Sequence, residues 1–189
     1  LIFENTIDMN GDTHTMPYHL MFEQSKVLDF YKAIDQIAKP QKVRGKHTRR
    51  RVCGVGNYYY NDLPQLTDEL KETLNELIGR SDYQTAMIQI YEGGDSIGWH
   101  KDKKEKHYKS DIVEMWNWGF NRGSCCLHEC GDEDIGYFQI KGHDKIPIKH
   151  GQQMKVGAYE FEHKAYTYKS GNKYGVKGCD FRMNITIRE

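Results

Sequence analysis

Apolar residues recur with one period in the first half of this chain and with another in the second. In "EQSKVLDFYKAIDQIAK", Val27, Leu28, Tyr31, Ile34 and Ile37 fall three or four apart, as on one helical face, and Pro40 closes the pattern. In "LPQLTDELKETLNELIGR", Leu66, Leu70, Leu74 and Leu77 repeat that rhythm up to a stop at Gly79. Two amphipathic helices are predicted, with their leucines in a core. From Gln84 onward the period shortens to two: "QTAMIQIYE", "SIGWHKD", "DIVEMWNWG", "SCCLHE", "GYFQI", "KIPIKH", "QMKVG", "YEFEHKAY" and "FRMNITIRE" read as strands between Gly- or Asp-rich turns. Helices followed by short strands predict an α+β domain, its helices packed on one face of a sandwich or barrel-like sheet. At 189 residues the chain suits one core, a single domain over 1–189 with a helical part (1–83) and a β-rich part (84–189).

The closing strand carries an anomaly. Met183, Ile185 and Ile187 share one face, while Arg182, Asn184, Thr186 and Arg188 share the other. Such alternation suits an ordinary half-exposed antiparallel strand. Two guanidiniums flanking an amide and a hydroxyl equally suit an anion site.

Charge changes the picture locally. Lys plus Arg and Asp plus Glu both number 27, so the balance gives no global hint of a partner. From Lys39 to Arg51, however, "KPQKVRGKHTRRR" holds no acid, which makes either a solvated basic loop or a patch able to meet phosphates. Five cysteines, Cys53, Cys125, Cys126, Cys130 and Cys179, are an odd number in a chain too long to need disulfide staples, so a reducing, intracellular compartment is expected. "CCLHEC" lacks the second ligand pair of a zinc site. No signal peptide or membrane-spanning apolar run is present, so a soluble protein without a membrane partner is expected; with leucine at position 1, a targeting segment could still precede the sequence.

Candidate chemistry lies in "IQIYEGGDSIGWHKD". His100 and Asp102, two apart, point from one face of an extended segment and form half of a metal site. A further histidine on a neighbouring strand completes a two-histidine, one-carboxylate set that leaves one side of an octahedral iron open; His163 is the best candidate. Such an iron commonly takes 2-oxoglutarate, whose far carboxylate needs a cation, and Arg182 can supply a bidentate one. Gln89 and Tyr91, alternate residues of one strand, could add hydrogen bonds, with Asn184 and Arg188 lining the cofactor.

The ordered set of "QIY", "HKD", His163 in "FEHKAY" and "RMNITIR" resembles the AlkB family of iron- and 2-oxoglutarate-dependent nucleic-acid dioxygenases, from about Gln84 to the end. That resemblance implies a double-stranded β-helix (jelly-roll) core and a catalytic metal set of His100, Asp102 and His163. It also implies Fe(II), 2-oxoglutarate and O2 as cofactor and co-substrates, with DNA or RNA as partner to a monomer. The implied reaction hydroxylates an N-methyl group on an unstacked base, releasing formaldehyde beside succinate and carbon dioxide. "RRRVCGVGNYYY" resembles the family's substrate flap, with Arg49, Arg50 and Arg51 as phosphate contacts and Tyr58, Tyr59, Tyr60 and Trp116 as stacking partners. Trp99, Trp116 and Trp118 are expected to pack the sheet, Trp116 being the one to face the pocket if any does, and His107, His128, His143 and His150 to lie on the surface. Three positions depart from the family: Gln89 stands for an asparagine, Cys53 for a flap tyrosine, and Lys104 where some relatives place an acid near the base. These departures leave open the same oxygenase chemistry ending in stable hydroxylation of a pyrimidine methyl group or a protein side chain. A binding module without catalysis is a further reading, disfavoured by the intact site.

Overall fold

A computed structural model describes residues 2–7, 13–18, 24–43, 46–56, 63–131, 133–171 and 178–189. Strands β1 (Ile2–Ile7) and β2 (Thr13–Tyr18) precede helix α1 (Gln24–Ile37), and β3 (Lys39–Val43) and β4 (Lys46–Val55) precede α2 (Asp68–Ile78). There follow β5 (Thr85–Glu92), β6 (Ser96–His100), β7 (Val113–Arg122), β8 (Leu127–Glu129) and β9 (Asp134–Ile140). The last strands are β10 (Lys145–Lys149), β11 (Gln152–Val156), β12 (His163–Thr167) and β13 (Phe181–Arg188).

The strands form two sheets. The larger runs β2-β1-β11-β7-β13-β5-β4-β3, with β8 also on β7, and the smaller runs β10-β9-β12-β6. From β5 on, the chain passes repeatedly between the sheets, and nearly all pairings are antiparallel, β1 with β11 being parallel. This is the double-stranded β-helix of an α+β fold. Between the sheets, Val113, Met154 and Val156 of the larger pack against Ile135, Phe138 and Ile148 of the smaller. On the larger sheet's other face, Ile34 of α1 and Leu74 and Leu77 of α2 meet Ile88, Trp116 and Ile185. Each apolar stripe read from the sequence therefore finds a partner. Helix α2 ends as expected: Thr67 accepts from the Leu70 N–H at 3.3 Å, and Gly79 turns left-handed at φ 71°.

Four expectations need correction. Residues before 84 contribute strands as well as helices. The basic run is not a loop but part of the hairpin β3–β4, held to β5 by backbone hydrogen bonds, with Pro40 tolerated because β3 is an edge strand. Trp99 does not pack the sheet and is 43 % exposed. Trp116 is buried under the helices, opposite Ile185 across the ladder, so it cannot stack on a bound base. Tyr58, Tyr59 and Tyr60 lie outside the described residues.

Candidate metal centre

A cavity of about 310 Å³ lies between the sheets, lined by both. A β-bulge positions its first metal ligand. On β6, His100 pairs with His163 while Ile97 pairs with Ala165, so three steps on one strand match two on the other. The extra residue re-aims the strand, and both Ile97 and His100 face the cavity. Beyond β6, Asp102 is fixed by its N–H bonding the Ala158 carbonyl at 3.0 Å.

His100 Nδ1 donates to the Gly98 carbonyl at 2.7 Å and His163 Nδ1 to the Phe161 carbonyl at 3.0 Å. With those protons committed, each Nε2 keeps its lone pair for a metal. The two Nε2 atoms lie 3.4 and 3.8 Å from Asp102 Oδ1, and Arg188 holds Oδ2. All three ligand atoms lie within 4.8 Å of one another, somewhat wider than the ~3 Å between neighbouring ligands that sit ~2.1 Å from a shared ion. Small side-chain rotations close that gap, so the residues fit a divalent ion. Without a metal, burial opposes ionisation of Asp102, but a hydrogen bond from protonated His100, whose own pKa Asp102 raises, and the charge of Arg188 outweigh it and hold the carboxyl well below its usual range; a metal at Nε2 would take the place of that proton. Burial also lowers the pKa of His163, only partly offset by Asp102, which favours the neutral imidazole a metal needs.

Across the cavity stands Arg182, 2 % exposed. Its Nε donates to Thr167 Oγ1 at 2.9 Å and its Nη1 to Asn117 Oδ1 at 3.0 Å, and its guanidinium lies 4.4 Å from the centre of the Tyr91 ring. Every partner is neutral. Among the described residues no carboxylate pairs with Arg182, and burial lowers its pKa. An uncompensated buried cation is costly, so the site is built for an anion.

The polar face of β13 continues into β5. Gln89 donates to Asn184 at 3.0 Å and to Thr186 at 3.3 Å, and Tyr91 Oη donates to Gln89 Oε1 at 2.8 Å. Arg50 reaches in from β4, donating to Gln89 at 2.9 Å, to Tyr91 at 3.2 Å and to Gln41.

The cavity thus gathers His100, Asp102, His163, Arg182, Tyr91, Gln89, Asn184, Arg188 and Arg50. The other predicted contacts lie elsewhere. Strand alternation sends Arg49 and Arg51 away from Arg50; Arg49 is exposed, and Arg51 is ion-paired with Asp35 of α1. Lys104 does not line the cavity and pairs with Asp111. Sequence reasoning missed Asn117, Thr167 and Gln41. Asn117 had one signal, an amide between two tryptophans.

A jelly roll with a His-x-Asp and distal His set defines a class of proteins able to hold one metal ion in a half-open shell. No family model matches the chain, and no curated protein matches it. Solved structures do. OsALKBH1 aligns with a TM-score of 0.54 at 12 % identity, over 89 % of this chain and 93 % of that one. A 2OG-Fe(II) oxygenase family oxidoreductase from Burkholderia pseudomallei aligns at 0.48 and 12 %, over 92 % and 82 %. The DMSP lyase DddQ from Ruegeria pomeroyi DSS-3 aligns at 0.48 and 13 %, over 92 % and 68 %. At these identities the likeness is one of fold.

Proposed function

We propose that the protein is an Fe(II)- and 2-oxoglutarate-dependent dioxygenase that removes N-methyl groups from nucleic-acid bases. The observation that carries this reading is the pairing of a half-open His100–Asp102–His163 set with a buried, carboxylate-free Arg182 across one cavity. When bound, iron with 2-oxoglutarate and oxygen supplies the oxidation of a C–H bond.

The chain's own residues do the rest. Arg182, oriented by Thr167 and Asn117, receives the far carboxylate of 2-oxoglutarate, and the Tyr91 ring supports the guanidinium's face. Arg188 keeps Asp102 ionised and aimed. Phe138, its ring centre 5.2 Å from that of His163, helps exclude water. Arg50 brings a second guanidinium whose partners among the described residues are neutral, Gln41, Gln89 and Tyr91, and so can meet an acceptor on a base or an anionic group. A methyl group hydroxylated on a base nitrogen in this cavity would leave as formaldehyde and give the bare amine.

The test is anaerobic loading with ferrous iron and 2-oxoglutarate, then air, with methylated DNA and RNA oligonucleotides. Succinate and formaldehyde appearing together from one oligonucleotide is the expected result. Succinate without formaldehyde would move the reading to stable hydroxylation; iron bound without succinate would overturn the enzyme.

A further inference from the structure

Strand alternation gives the smaller sheet two unlike faces. Phe138 of β9 and His163 and Ala165 of β12 face the cavity, while Tyr137, Lys164 and Tyr166 face outward. On that outer face the Tyr137 and Tyr166 rings stack at 5.6 Å, and Tyr168 lies 6.0 Å from Tyr137 and 5.9 Å from Tyr166. Trp99, the most exposed large apolar side chain among the described residues, joins them through Lys164, whose Nζ lies 4.5 Å from the Trp99 ring centre and 5.8 Å from that of Tyr137. Lys145 Nζ sits 4.5 Å over Tyr137.

Among the described residues neither Lys145 nor Lys164 has a carboxylate partner; their ammonium groups rest on rings. Of the acids by this face, Glu162 is paired with Lys141, Asp134 stands towards Tyr168, and exposed Asp144 directly precedes Lys145. Trp99 directly precedes the ligand His100, and Lys101 and Lys103 line the cavity, so the face adjoins the reaction chamber. Ammonium groups resting on rings can be drawn off by phosphates, which frees π-faces for bases, and alternating cations and aromatic rings are how sheets hold single strands.

We propose that this outer face, from Trp99 and Lys164 to Tyr137 and Lys145, holds the single-stranded nucleic acid flanking the base in the cavity. The inference rests on the nucleic-acid reading above. Acidic peptide fits less well, because carboxylates would engage the lysines and leave the rings unused.

Anisotropy of labelled, unmodified oligonucleotides on the purified full chain tests it without reference to turnover, comparing wild type with Lys145→Ala/Lys164→Ala. A 12-mer should bind the double variant about tenfold more weakly, its salt slope falling by about 1.4 for two lost phosphate contacts, while a trimer binds both proteins alike. A Trp99→Ala variant should weaken the 12-mer without altering the salt slope. If the wild type binds the 12-mer and the lysine variant matches it, the face is excluded and the cavity reading stands. If the wild type binds no oligonucleotide, both fall. A poly-glutamate peptide of equal charge that competes as well as the 12-mer would overturn the assignment in favour of a protein partner.

Discussion

Arg182 contributes opposite amounts to stability and to binding. In the free protein its buried charge has only neutral partners, whereas a bound dicarboxylate completes it. Arg182→Met removes that charge but leaves Thr167 without its donor, so the two effects largely cancel, to within about 1 kcal/mol. The variant is expected to melt within a few degrees of wild type. Its 2-oxoglutarate affinity should fall by about a hundredfold or more, as loss of a bidentate charge-assisted contact implies. Calorimetric titration of 2-oxoglutarate into the metal-loaded variant checks this, and undiminished affinity would remove Arg182 from the site. Cysteines offer a second contrast at this scale. Cys125 and Cys126 are exposed, while Cys53 is buried, and that burial pushes its thiol up to about 12. Thiol labelling at pH 8 followed by peptide mapping should modify Cys125 and Cys126 in the folded protein and reach Cys53 only after denaturant is added.

Among the elements, the bulge between β6 and β12 decides whether a metal can bind. Inserting one glycine between Trp99 and His100, with the bulge kept, would put the new residue in the cavity-facing place and turn His100 away from Asp102 and His163. A cobalt or manganese titration should then show affinity reduced by orders of magnitude, with the circular dichroism of the sheets retained. Wild-type affinity would show that the bulge does not set the site. This element also marks where the sequence stops being legible. The H-x-D spacing pointed to a shared face, but nothing in "SIGWHKD" announces an extra residue, because bulges arise from pairing with a distant strand. Strand β13 was legible in full, since its alternation carries both the core and the polar face; the helices were legible because their leucine spacing matches a helical period. Arg50 and Arg51 read as one patch, yet strand alternation gives them opposite tasks, one in the cavity and one tied to Asp35. Lys104 was placed by analogy with a spacing, and the segment after β6 turns it to Asp111 instead.

Across the whole molecule, the helix-side core and the cavity lie on opposite faces of the larger sheet. Leu74→Ala, in the helix-side core, should cost about 2–5 kcal/mol in denaturant unfolding while metal affinity stays within twofold. A large loss of metal affinity in that variant would mean that the two faces are mechanically coupled. Asp180, just before β13, accepts from the Arg122 N–H at 2.8 Å and from Ser170, and these bonds outweigh burial to lower its pKa. Because the folded carboxyl is the stronger acid, its contribution is present above the unfolded value of about 3.9 and is lost as pH falls through the lower folded value. Asp180→Asn should therefore flatten the drop in melting temperature below pH 4; an unchanged acid limb would remove Asp180 from that linkage. Strand β13 lies between β5 and β7, bonded to both along its length, although it is the last of these strands to be made. A ribosome must complete residue 188 before the two neighbours can be bridged, so the sheet closes only after β13 itself has been made. Until then the emerging chain carries two unmatched strand edges, and it depends on rapid closure or on chaperones to avoid pairing with other chains.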